Sequence, residues 1–236
     1  MVPWYERGVR VLGLETSSRR GTVALIEAGR VIVSLATEAP GGHAPHLLGL
    51  LDQVLANAGW SKTTLDRIAV GTGPGSFTGI RVGIALAQGL GLGLARPVIG
   101  IGSLYAMSRA TPADVPGARC AFVDARRNEV FGAEYDEVGG ERRAPQAIRR
   151  EDVGAWLAET TLPVVLGEVV SSLGLAVDPL RSELTDLPHA AGVALAAEGA
   201  PEPAENADPV EAVYVRSADA IRPNLPRFPL SSPEPT

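Results

Sequence analysis

The sequence predicts a layered α/β fold organised as two lobes, and three observations predict it. Of the 236 residues, 45% are hydrophobic but only 5% aromatic, so the core must be built of Val, Leu, Ile and Ala, which suits sheets covered by helices. Short β-branched runs bounded by Gly and Pro alternate with stretches of helical period. An apolar strand that ends in an acid, followed by a basic turn and a return strand, occurs twice, at Glu15 and at Asp124. This repeat reads as an internal duplication, with the two prolines of Thr111 to Gly117 marking the lobe boundary.

The elements follow in order. Residues 1–8 read as an extension. Val9 to Glu15, Thr22 to Glu27 and Arg30 to Thr37 form a β-meander joined by short turns. His46 to Ala58 is an amphipathic helix whose apolar face carries Leu47, Leu48, Leu51, Val54, Leu55 and Ala58. Pro45 stands near its first turn and Gly59 just past its end, as helix asymmetry favours. Ser61 to Asp66 is a short helical connector. Ile68 to Gly71 is a buried strand, and Gly71, Gly73 and Gly75 with Pro74 make a tight loop. Ser76 or Thr78 caps the helix that follows, and Pro97 ends it. Val98 to Ile101 is a strand and Leu104 to Arg109 a helix.

The second half repeats the start. Cys120 to Asp124 and Glu129 to Glu137 are the paired strands, with Gly139-Gly140 as the next turn. Arg150 to Glu159 is a helix, Pro163 to Leu166 a strand, Glu168 to Gly174 a short helix and Pro188 to Glu198 an Ala-rich helix. Pro201 to Pro209 is an acidic loop, and Val210 to Arg216 a final strand. Ser217 to Thr236, with five prolines, is expected to stay disordered.

The helix after the glycine loop is unusual. From Gly79 to Ala95 its only strongly polar side chains are Arg81 and Gln88. Gly79, Gly83, Ala87 and Gly91, spaced by four, make a ridge almost bare of side chain, while Ile80, Ile84 and Leu94 are read as the opposite side. Each interior Gly costs ~1 kcal/mol relative to Ala, so close approach of another backbone must offset it. A helix apolar all round needs covering on both sides. One cover is the chain's own sheet; the other is a neighbouring helix here or a helix of another protein. The expected docking residues are Leu47, Leu51, Val54, Gly79, Gly83, Ala87 and Gly91.

Composition excludes several functions. A formal charge of −6 argues against a broad basic surface for nucleic acid. Cys120 is alone, the start lacks an apolar signal segment, and the apolar run is slightly short for a membrane span and holds an arginine, so a cytoplasmic protein is expected.

The candidate chemistry is sparse. Amides of Gly73, Gly75 and Ser76 at a helix start, with Pro74 between them, are placed either to cradle a phosphate or to make a tight turn feeding a packed helix. The loop is neither a Walker loop, since no Gly-Lys-Ser/Thr follows, nor the dinucleotide fingerprint, since Ser76 stands where the third glycine should be. Glu15-Thr16-Ser17 is suited to Mg²⁺ through water and to phosphate, or to hairpin-turn chemistry alone, with Asp124 as its counterpart. His43 and His46 have i, i+3 spacing, but no third ligand is evident and no metal site is expected. No Ser/His/Asp signature is present.

Taken together, Leu14-Glu-Thr-Ser17, His43 before the leucine helix, Val70-Gly-Thr-Gly-Pro-Gly-Ser-Phe-Thr-Gly-Ile-Arg-Val-Gly83, Val123-Asp-Ala-Arg-Arg-Asn-Glu-Val130 and Val213-Tyr-Val-Arg216 resemble the TsaB family across residues 9–216. That resemblance implies an actin-like ATPase (ASKHA, ribonuclease H-like) fold, with an N-terminal lobe over 9–110 that carries the docking helices and a smaller C-terminal lobe over 111–216. It implies a non-catalytic subunit of the machinery that places a threonylcarbamoyl group on N6 of adenosine 37 in tRNA. The implied partners are the catalytic paralogue TsaD and the ATPase TsaE, with tRNA engaged only through the complex. The implied subunit has no cofactor of its own, with ATP or ADP placed at the partner interface, and a homodimer is an option when it is alone. The incomplete metal set and the length favour TsaB over TsaD. Glu15 departs from the Asp usual in this fold, which weakens the case for metal–nucleotide binding. An independent ATPase or phosphotransferase and a metallopeptidase-like protein are the alternatives.

Overall fold

The computed structural model describes residues 8–38, 44–204 and 208–215. The expected N-terminal extension, His43, Arg216 and the proline-rich stretch from Ser217 lie outside them, except for Gly8.

Two mixed sheets carry the chain. The first has strand order β3-β2-β1-β4-β5. Its meander is β1 (Arg10–Glu15), β2 (Gly21–Glu27) and β3 (Arg30–Thr37), and β4 (Arg67–Gly71) and β5 (Val98–Ile101) extend it in parallel. The register sets Glu15 opposite Thr22 and Leu12 beside Ile68. β1 and β4 are buried on both faces, which explains their unbroken apolar runs.

Helices α1 (Ala44–Ala58) and α2 (Phe77–Leu94) cover one face. Leu47, Leu51, Val54, Ile80, Ile84 and Ala87 there join Leu12, Leu14, Val23, Leu25, Ile68 and Val70 in one core. The second sheet, in order β8-β7-β6-β9, holds β6 (Ala118–Arg126), β7 (Glu129–Tyr135), β8 (Glu141–Arg149) and β9 (Pro163–Leu166). Helix α3 (Ser103–Arg109) packs on one side of it, and α4 (Val153–Ala158) with the 3₁₀ turn Glu168–Ser172 on the other. Both sheets are therefore an antiparallel meander continued by a parallel strand. This is the actin-like, ribonuclease H-like architecture, and the second sheet repeats the first without a counterpart of β5.

Three expectations change. β8 is a strand that the sequence reading passed over. Val210 to Val215 is not a strand but an extended strap, joined to the first lobe by Val213 N–H donating to Thr72 O at 2.9 Å. The second lobe also does not run unbroken from 111 to 216. After the short α5 (Glu183–Asp186), α6 (Ala190–Glu198) returns to the first sheet, wedged between that sheet and α3. Gly13 makes room for it, since a Cβ there would fall on the Ala190 carbonyl.

Both ends of α6 are tied down. Ala190 N–H donates to Thr22 Oγ1 at 2.8 Å, and Ala191 N–H to the Nδ1 of His189, its N-cap, at 3.1 Å. Buried Arg67 donates to the Ala197 and Ala200 carbonyls at 3.0 and 2.9 Å, closing the C-terminal end where a cation is favoured.

Candidate functional site

The glycine loop starts from a fully buried acid. Glu15 ends β1, and its carboxylate accepts from Ser17 N–H at 2.6 Å and Ser103 Oγ–H at 2.8 Å. Burial pushes its pKa up, and the Ser17 and Ser103 bonds pull it back. Ser103 Oγ also accepts from Gly73 N–H at 3.1 Å, and Ser103 N–H donates to Gly73 O at 2.7 Å. Gly71 must lack a side chain because a Cβ would meet the Glu15 carboxylate. The acid thus fastens three segments: the end of β1, the loop before α2 and the start of α3.

This arrangement turns the expected phosphate cradle inward. The Gly73 amide is given to Ser103, Pro74 has none, and the Ser76 amide donates to Ser17 O at 2.6 Å. Gly75 sits against the Ser17 backbone. Thr16 Oγ1 donates to Gly79 O at 2.7 Å, and Ser76 Oγ accepts from Gly79 N–H at 3.2 Å, so Ser76 is the cap. Glu15, Thr16, Ser17, Gly73, Pro74, Gly75 and Ser76 do come together, as the phosphate reading required, but the Gly73 and Ser76 amides and the Thr16 and Ser76 hydroxyls are spent within the chain, and of their side chains only the buried Ser17 Oγ is left without a hydrogen-bond partner. Asp124, the counterpart acid, is exposed and paired with Arg150 at 3.1 Å. Among the described residues no three of His, Cys, Asp and Glu gather as metal ligands.

The docking residues expected from sequence are corrected by burial. Leu47, Leu51 and Val54 face the chain's own sheet. The bare ridge is filled from within. A Cβ at Gly79 would fall on the Thr16 carbonyl, at Gly83 on Thr16 Oγ1 and at Gly91 on Val98, and Ala87 is fully buried. Ile80 and Ile84 share this buried side rather than opposing it. The close approach inferred from the glycines is real, but the neighbours are β1, β4 and β5.

What remains open is the other side of α2. Phe77, Arg81, Ala85, Gly89, Leu92 and Gly93 are exposed, Leu92 at 87%. A Cβ at Gly89 or Gly93 would meet nothing within 4 Å. By length and composition α2 is apolar enough to cross a membrane, with a mean hydropathy of 1.3, yet its inner side is built into the sheet. On α1, Leu48 is 53% exposed.

The strap borders this face. Val210 and Ala212 pack on the first-lobe core, Val215 on the core around α3 and the second sheet, and Val210 O accepts from Gln88 Nε2 at 3.0 Å. Tyr214 packs on Phe77 with ring centroids 5.1 Å apart and the rings tilted by 35°, and Arg81 lies 3.7 Å over Phe77 while its Nε donates to Tyr214 Oη at 3.0 Å. Sequence reading named Arg81 only as a polar interruption and missed Phe77, Leu92 and Tyr214. The signal was available in part: Phe77, Arg81, Ala85 and Leu92 share one arc at helical spacing.

The family model described as "TsaD: tRNA N6-adenosine threonylcarbamoyltransferase" matches residues 36–159. The chain is 34% identical over 163 residues to the tRNA threonylcarbamoyladenosine biosynthesis protein TsaB of Escherichia coli, covering 69% of this chain and 64% of that one. It is 40% identical over 129 residues to TsaB of Haemophilus influenzae, covering 53% of each. The matched stretches thus span about half to two thirds of these relatives' lengths. The solved structure of YeaZ from Pseudomonas aeruginosa superposes with a TM-score of 0.65 at 32% identity, covering 80% of this chain and 90% of that one.

Proposed function

Because the chain belongs to the TsaB/YeaZ family, we propose that it is a non-catalytic docking subunit in the formation of threonylcarbamoyladenosine in tRNA, holding the threonylcarbamoyltransferase TsaD against the outer face of α2. One observation carries the reading. The longest helix among the described residues keeps an apolar side in water, with Phe77 and Leu92 exposed and Gly89 and Gly93 leaving the backbone open to approach. Exposed apolar surface of this kind marks interaction sites. The inward-turned Glu15 and glycine loop support a subunit that leaves catalysis to its partner.

Binding of TsaE, and ATP or ADP at the subunit interface, belong to the same proposal. So does a cytoplasmic setting in which tRNA is met only through the complex, in keeping with the charge of −6. Self-association of the free chain is the state that TsaD would displace. The test is replacement of the chromosomal gene by the Gly89→Arg variant. TsaD should no longer co-purify and threonylcarbamoyladenosine in bulk tRNA should fall. Normal modification together with normal co-purification would refute the docking face.

A further inference from the structure

A single cation sits on the outer face of α2, and the structure holds it in a fixed pose. Arg81 Cζ lies 3.7 Å from the centre of the Phe77 ring, and its Nε donates to the Tyr214 hydroxyl of the strap. Among the described residues no carboxylate pairs with it, and its two terminal nitrogens make no hydrogen bond. It is exposed, with the apolar residues Phe77, Ala85 and Leu92 on the same side of the helix. A free arginine loses side-chain entropy when it is ordered by a partner. Here the ring beneath it and the tyrosine beside it have already restricted the fork. Its two outer nitrogens face away from Nε, the edge suited to a carboxylate through two parallel bonds. Arginine flanked by aromatic rings is also the composition of interface hot spots.

We propose that Arg81 is the polar anchor of the docking face, and that the surface seated there presents a carboxylate to its terminal nitrogens. This rests on the reading of the α2 face as the docking surface. The occupant that fits is a different protein, TsaD under that reading, rather than a second copy. A copy would offer the same helix, and Phe77–Leu94 contains no Asp or Glu to receive the guanidinium. The strap has a part in the same device. The strap that carries Tyr214 to Arg81 is fastened by Val213 N–H donating to Thr72 O and by Gln88 Nε2 donating to Val210 O. Tyr214 is therefore a positioning residue for the anchor.

Calorimetric titration of the full chain with TsaD of the same organism tests this, using Arg81→Gln, Arg81→Lys, Tyr214→Phe and Gly89→Leu. Arg81→Gln should weaken binding by about 30-fold, the scale of an interface hot spot. Arg81→Lys should not restore it, because an ammonium cannot make the paired bonds, and Tyr214→Phe should cost about 3- to 5-fold through lost pre-organisation. The wild-type affinity should fall with added salt more steeply than that of Arg81→Gln. If Gly89→Leu abolishes binding while Arg81→Gln leaves it unchanged, the face stands and the anchor is refuted. If neither variant changes TsaD binding, the docking reading itself fails. If Arg81→Gln alters only self-association in sedimentation, the occupant is a second copy and the inference is overturned.

Discussion

The two sides of α2 are nearly equal in apolar character but differ in what they touch. The inner ridge of Gly79, Gly83, Ala87 and Gly91 is pressed onto Thr16, Val70 and Val98, whereas Gly89 and Gly93 on the outer side touch nothing. Glycine at helical spacing records that a backbone must come close or must be left open. It does not record which. On the inner side the return on four small residues is tight contact with β1, β4 and β5. On the outer side it is a shallow, unfilled surface bordered by Phe77, Leu92 and Tyr214.

The sharpest way to break this comparison is to fill each side. Gly83→Leu has to displace Thr16 from beneath the helix, so it should cost about 3 kcal/mol or more and lower the melting midpoint strongly. Gly89→Leu points into water and should hold or raise stability by about 0.5–1 kcal/mol, because Leu is the better helix former, while removing TsaD binding. Equal melting losses for the two variants would erase the distinction. Glu15→Ala should come next, at about 2–4 kcal/mol in denaturant unfolding, since Ser17 N–H and Ser103 Oγ–H lose a buried acceptor.

A pH titration sharpens the inner account from the opposite face of the sheet. Burial, reinforced by the Arg20 charge, pushes the His189 pKa down to about 4 from 6.5, and its Nδ1 must stay unprotonated to accept from Ala191 N–H. The folded value lies below the unfolded one. Its contribution is therefore complete above pH 6.5 and is lost as pH falls towards 4, by up to about 3 kcal/mol. His189→Asn keeps a cap without the titration, so its stability should be flatter across that window. The smallest stability effect belongs to Leu92→Ser, within about 0.5 kcal/mol in melting experiments because the side chain is already in water, with weaker TsaD binding as its only consequence.

Much of the fold was legible in the sequence because its signals are local. The meander from Arg10 to Thr37, a hydroxyl cap at the start of α2 and the acid that ends β1 needed only alternation, turn residues and caps to be read, whereas β6 runs past Asp124 to Arg126. β8 was hidden because Glu141–Arg149 is polar, contains Pro145 and buries only Ile148, as an edge strand can. The Val210–Val215 strap looked like a strand because it is β-rich, but it meets the end of β4 through a single backbone bond. The candidate site was less legible. The bond from Ser103 to Glu15 spans 88 positions, and the contact of Tyr214 with Arg81 spans 133, so no local pattern announces either. The smooth ridge was found and then pointed outward, because a strand of the same chain and a helix of another demand the same glycines.

The account's central claim is that the side of α2 carrying Leu92 is where a partner sits. Leu92→Cys tests it directly, since Cys120 is buried with its thiol pushed up to about 11 and will not compete for a maleimide. The new thiol should label rapidly in the free chain and at least about 10-fold more slowly with saturating TsaD, as burial in an interface requires. Labelling at an unchanged rate in a chain shown to be bound to TsaD would contradict the claim.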